Sequence, residues 1–124
     1  MQLSINERQV GTVTVLDLVG KLTLDDGAQR LKDKINSLVQ QHRTAIVLNL
    51  GDISYIDSSG LGQLVASFGS VTKAGGALKL FNVNKRNHDL LSITRLVTVF
   101  ETFNSEDDAV KSFPPLAIGS PAAD

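Results

Sequence analysis

A near-continuous apolar run, Ala45 to Leu50, lies close upstream of the segment Ile56-Asp57-Ser58-Ser59-Gly60-Leu61-Gly62. The run does not alternate, as expected for a strand buried on both faces. Immediately after the segment, Leu61, Leu64, Val65, Phe68 and Val71 recur at helical spacing. A buried strand that passes through a short polar turn into an amphipathic helix constrains the chain to a layered α/β fold. Two serines then sit where the helix begins, beyond the carboxyl end of the most buried strand, where sites in such sheets lie. Unpaired backbone N–H groups and the positive end of the helix dipole gather there. A hydroxyl, a carboxylate or a phosphate suits such a position. Ser58 therefore reads as a surface serine able to accept a phosphoryl group without breaking the fold.

The rest of the chain fits the same architecture. Leu3 and Ile5 alternate with polar residues as a short strand, and Gly11 marks a turn. Val13, Val15, Leu16, Leu18 and Val19 form a second strand, which the turn would let run antiparallel to the first. Its alternation changes phase at Val15-Leu16, so either both faces are buried or a bulge lies there. Asp25 and Asp26 suit the opening of a helix that continues through Ala28, Leu31, Ile35, Leu38 and Val39. Gly75-Gly76 stops the helix after the serine motif. Leu78, Leu80, Phe81 and Val83 read as a strand, and Asn87 to Thr94 as a short helix with Leu90, Leu91 and Ile93 inward. Val97, Val99 and Phe100 read as a last strand, and Ser105 as the cap of a final helix with Glu106, Asp107 and Asp108 in its first turn. The expectation is one α/β domain over residues 1–113, a mixed sheet of about four to five strands packed with about four helices. Residues 114–124 are expected to be a mobile tail.

Several function classes are disfavoured. The net charge is -1 and no basic run stands out, which argues against nucleic acid as a partner. There is no cysteine, hence no disulfide or thiolate chemistry. His42 and His88 are too isolated to read as a metal site. The first seven residues lack the basic and apolar regions of a signal peptide. No apolar run approaches the roughly 20 residues that would insert into a membrane. A cytoplasmic location is expected.

Individual residues admit plainer readings. Ser58 and Ser59 could both be turn or capping residues, and Ser59 is read as the structural one of the two. Asp57 either caps the helix or contacts the partner or the metal of an incoming phosphoryl group; capping is preferred. Gly60 and Gly62 fit a close backbone approach at the helix start, or simply local loop geometry. Lys79, Lys85 and Arg86 read as solvated surface.

The stretch Val47-Leu48-Asn49-Leu50-Gly51-Asp52-Ile53-Ser54-Tyr55-Ile56-Asp57-Ser58-Ser59-Gly60-Leu61-Gly62 closely resembles the signature of the STAS family. That family holds bacterial anti-sigma-factor antagonists and the cytoplasmic domains of sulfate transporters. The resemblance continues through Gly75-Gly76, Leu78 to Val83 and the Leu90–Leu96 helix. It implies a partner, an anti-sigma factor that is a histidine-kinase-like serine kinase. Unphosphorylated antagonist takes the kinase and frees the sigma factor. The kinase phosphorylates the serine after the motif's aspartate, here Ser58, and a metal-dependent serine phosphatase reverses the step. Mg-ATP would be the kinase's cofactor; this chain would need no cofactor and would not itself be an enzyme. The partner surface implied is Asp57, Ser58, Ser59, Gly60 and Leu61, with Asp25 of the loop before the first helix. Two positions depart from the family's pattern. Thr23 stands near a usual acidic site, and Arg95 stands where a glycine is frequent.

Two other function classes compete. One is a STAS subunit of a stress-signalling assembly or of a membrane lipid or anion transporter. The other is a serine hydrolase, but Ile56 occupies the first glycine position that a G-x-S-x-G nucleophile elbow needs.

Overall fold

Gly11 takes a φ of 61°, and the two-residue turn Gly11-Thr12 folds β1 (Ser4–Val10) back on β2 (Val13–Leu22). The computed structural model describes residues 3–25 and 27–114. After β2 come α1 (Gly27–Gln40), β3 (Ala45–Ile56), α2 (Ser58–Lys73), β4 (Ala77–Phe81) and α3 (Lys85–Ile93). A 3-10 turn (Leu96–Thr98), β5 (Thr102–Phe103) and α4 (Glu106–Lys111) complete the order. The five strands form one sheet in the order β1-β2-β3-β4-β5, antiparallel at the first pair and parallel thereafter. This is the mixed α/β architecture expected.

The strand period sorts side chains into two layers. Leu16, Leu18, Leu22, Ile46, Leu48, Leu50, Leu78 and Leu80 meet Leu31, Ile35 and Leu38 of α1 and Leu64 and Val71 of α2 in the main core. On the opposite face Val13, Val15 and Val47 pack against Ala109 of α4, with Phe81, Phe103 and Phe113 around them. β2 is therefore buried on both faces from Val13 to Leu16, and its ladder to β3 also shifts register between Asp17 and Val19. Burial on both faces therefore accounts for the phase change at Val15-Leu16, where the register is unbroken, and the irregularity lies further on.

Five details differ from the sequence expectations. Helix α1 begins at Gly27, leaving Asp25 exposed in the preceding turn; Asp26 lies outside the described residues. A β-carbon at residue 27 would collide with the Lys21 carbonyl, so close approach to the end of β2 constrains this helix start. The last strand is Thr102–Phe103, because Arg95 takes a left-handed φ of 65° and turns Leu96–Thr98 into a 3-10 turn. Phe100 goes instead into the core, where its ring meets Phe68 edge to face with centroids 5.4 Å apart. Ile93 and Val65 face solvent, since the inward stripes of α3 and α2 are completed by Leu91 and by Leu64 and Val71. Lys79 is buried, not surface: its ammonium donates to the Ser112 carbonyl and hydroxyl and lies 4.6 Å from the Phe113 ring centroid. The expected tail falls almost wholly on residues 115–124, outside the described residues.

Candidate functional site

Asp57 has extended backbone (φ -93°, ψ -177°) and is the N-cap of α2. Its Oδ1 accepts the Gly60 N–H at 2.8 Å, and its backbone carbonyl accepts the Leu61 N–H at 2.9 Å. The side chain thus meets one of the helix's otherwise unpaired donors, and the carbonyl accepts its first intrahelical bond. Asp57, and not Ser59, supplies the cap. Ser58 is the first helical residue and is exposed; Ser59 is half-buried. The Gly60 N–H and then the Leu24 N–H hold the Asp57 carboxyl below its ordinary pKa, so the group is charged at neutral pH.

The start of α2 is fused to the end of β2. The Leu22 carbonyl accepts the Asp57 N–H at 3.2 Å, and the same carbonyl fills the space a β-carbon on residue 60 would need. Gly60 is buried there because only glycine lets the helix come so close. Gly62 has open space around its Cα, so close approach is a property of Gly60 alone. Asp57 Oδ2 accepts the Leu24 N–H at 3.0 Å, and Thr23 O accepts the Ala28 N–H at 2.9 Å. The β2–α1 turn and the β3–α2 turn therefore form one hydrogen-bonded unit.

From the other side, β3 is braced by α3. Pairing between β3 and β4 ends at Asn49 with Phe81, yet β3 runs on to Ile56. Two carbonyls of this overhang are taken by side chains. Asn84 and Asn87 both donate to the Ile53 carbonyl, at 3.2 and 3.1 Å, and Arg86 donates to the Ser54 carbonyl at 3.2 Å. Asn84 also caps α3 by accepting the Asn87 N–H at 2.9 Å. The strand end that carries Ser58 is thus fixed by β2 on one flank and by the first turn of α3 on the other.

Of the residues named for the partner surface, Asp57, Ser58, Ser59, Gly60 and Leu61 are brought together at the start of α2, with Gly60 inside and Leu61 partly packed on the main core. Asp25 lies one residue beyond Leu24, whose N–H Asp57 holds. Sequence reasoning missed Leu24, Asn84 and Asn87. The two asparagines carry a legible signal, since Asn84 precedes a helical stretch. Leu24 carries none, because its link to Asp57 spans 33 residues. Among the described residues no group of three or more His, Asp or Glu side chains could hold a metal ion, and no helix is long and apolar enough to cross a membrane.

The STAS domain profile matches residues 4–109, and the chain belongs to the STAS domain family. It is 30% identical over 111 residues to the anti-sigma-B factor antagonist of Bacillus subtilis, covering 90% of this chain and 100% of that one. Its fold is similar to the crystal structure of an anti-sigma factor antagonist from Mycobacterium paratuberculosis, with a TM-score of 0.79 at 21% identity over 90% of this chain and 93% of that one. It is also similar to the Bacillus cell fate determinant SpoIIAA in its phosphorylated form, with a TM-score of 0.68 at 20% identity over 88% of this chain and 98% of that one.

Proposed function

We propose that this chain is a phosphorylatable antagonist of an anti-sigma factor, acting in the cytoplasm. Unphosphorylated, it binds a histidine-kinase-like serine kinase that also holds a sigma factor, and the sigma factor is released. Phosphorylation of Ser58 by that kinase ends the binding, and a metal-dependent serine phosphatase restores it. The observation that carries the reading is the exposed Ser58 hydroxyl in the first turn of α2, next to a cap already supplied by Asp57. Because Asp57 does the capping, Ser58 is spared for chemistry. Membership of the STAS family and similarity to named antagonists support the same reading.

The chemistry asks little of this chain. Ser58 Oγ attacks the γ-phosphorus of the kinase's Mg-ATP. A new O–P bond forms, and the bond from that phosphorus to the β,γ-bridging oxygen breaks. ADP leaves with the electron pair, and the hydroxyl proton passes to a base of the kinase. This chain presents the oxygen on a rigid platform, and the helix dipole stabilises the charge that arrives.

A phosphate adds about 1.5 to 2 negative charges at a contact made for a neutral hydroxyl. A loss of about 2–3 kcal/mol would weaken binding roughly 30- to 150-fold. The test is a pull-down from lysate of the source cells with the Ser58→Ala chain, then mass mapping after incubation of the wild type with the recovered kinase and Mg-ATP. Calorimetric titration of that kinase follows. Ser58→Ala should bind like the unphosphorylated chain, and the phosphorylated chain should bind weakly. Modification confined to Ser59 or Thr72 overturns the assignment. Equal affinity of both phosphorylation states moves the chain to the class of assembly or transporter subunits.

A further inference from the structure

The Asp57 carboxylate serves two masters. One oxygen holds the Gly60 N–H at the helix start, and the other reaches across to the Leu24 N–H of the β2–α1 turn. Leu24 itself is 71% exposed. A leucine displayed in this way contributes little to the core. Its backbone is nevertheless held in place, by the residue next to Ser58. The remaining ties between the turn and α2 run through the Leu22 carbonyl, two residues earlier, and do not fix Leu24.

We propose that Asp57 is a latch coupling the phosphorylation state of Ser58 to the position of Leu24, and that Leu24 is the apolar anchor by which the partner kinase grips the unphosphorylated chain. The proposal rests on the reading of Ser58 as the switch. A phosphate on Ser58 sits one residue from the Asp57 carboxylate, repels it, and competes for the same N–H groups of the first turn. The carboxylate that loses the Gly60 N–H swings away from the helix and releases the Leu24 N–H with it. The turn then keeps its Leu22 and Thr23 backbone bonds, but Leu24 is no longer presented at a fixed position. Phosphorylation thereby removes an attractive contact as well as adding a repulsive one.

Phosphoserine installed at position 58 by amber suppression tests the latch without any kinase. Amide exchange, followed by NMR, should be about tenfold or more faster at Leu24 in the phosphorylated chain. The Ala28 and Asp57 amides, whose acceptors are backbone carbonyls, should keep their rates, which separates latch release from unfolding. Asp57→Asn, with a single acceptor oxygen for two donors, should speed Leu24 exchange without phosphate. Unchanged Leu24 exchange in the phosphorylated chain overturns the latch. For the anchor, Leu24→Ala should weaken the recovered kinase's binding roughly tenfold with an unchanged melting temperature; wild-type affinity overturns it. If Leu24 exchange quickens while phosphate leaves kinase affinity unchanged, the latch stands, and both Leu24 as the anchor and Ser58 as the switch fall. If affinity drops while Leu24 stays protected, the switch stands and the latch falls.

Discussion

The carbonyl oxygen of Leu22 stands where a β-carbon on Gly60 would have to go, so the end of β2 and the start of α2 touch backbone to backbone. Neither side can give way, because Leu22 is fully buried and its carbonyl also accepts the Asp57 N–H.

Gly60→Ala should therefore destabilise the fold by about 1–3 kcal/mol or more through overpacking, although alanine favours helices. Gly62→Ala, two residues on in the same helix and with open space around it, should stabilise by about 0.5–1 kcal/mol. Urea denaturation of the two variants side by side checks the contrast. Equal effects would mean that the Leu22 contact does not constrain residue 60.

Arg95 holds a φ of 65° at the hinge between α3 and the 3-10 turn. A non-glycine residue there pays a left-handed penalty of about 1–2 kcal/mol. Arg95→Gly should recover part of it, offset by the greater freedom of glycine in the unfolded chain, for a net gain of up to about 1 kcal/mol. A rise in melting temperature is the expected readout; Arg95→Ala, which keeps the penalty, should show none.

Acid should weaken the fold through Asp17. The Arg8 guanidinium, with Nε 2.6 Å from Asp17 Oδ2, holds this half-buried carboxyl below its ordinary pKa, and the Asn49 amide adds a further donor. A carboxyl lowered on folding stabilises the protein above its unfolded pKa, and the contribution is lost as pH falls through the folded value. Stability from this group should thus be level from neutrality down to about pH 5 and fall below about pH 4. Glu7, lowered by Lys34 and Arg43, acts in the same direction. Asp17→Asn should shallow the acid limb of a stability–pH curve, and an unchanged limb would remove Asp17 as a cause.

Lys79 fastens α4 from beneath. Its ammonium meets the Ser112 carbonyl and hydroxyl at 3.2 and 2.9 Å and lies under the Phe113 ring, while its ion-pair partner Glu101 is largely exposed. Lys79→Ala removes these bonds and the cation–π contact and should cost about 2–3 kcal/mol. The loss should be local. Amide exchange should quicken across Ala109–Ser112 before it does in the main core.

The serine site was legible because its ingredients are consecutive. An apolar run, an aspartate, two serines and a glycine announce a strand, a cap and a helix start within twenty residues. What was not legible depends on partners far along the chain. Lys79 looks solvated until Ser112 and Phe113 arrive over it. The close approach of Gly27 to the Lys21 carbonyl has no local signature either. The 3-10 turn at Leu96 follows the left-handed Arg95 and brings Phe100 to Phe68, whereas Val97 and Val99 satisfy a strand pattern equally well. Leu24 is the extreme case, since nothing near it in sequence hints at Asp57.

The overhang of β3 beyond β4 also decides how another protein can approach. A strand with free carbonyls along one edge ordinarily invites a foreign strand to add itself to the sheet. Here Asn84, Asn87 and Arg86 occupy those carbonyls at Ile53 and Ser54, and β2 occupies the other edge. The overhang of β3 at Ile53 and Ser54 is thereby closed to sheet extension. On the proposed reading, the kinase would meet this end of the molecule through side chains and a helix terminus, which respond to a single added phosphate far more sharply than a backbone ladder would.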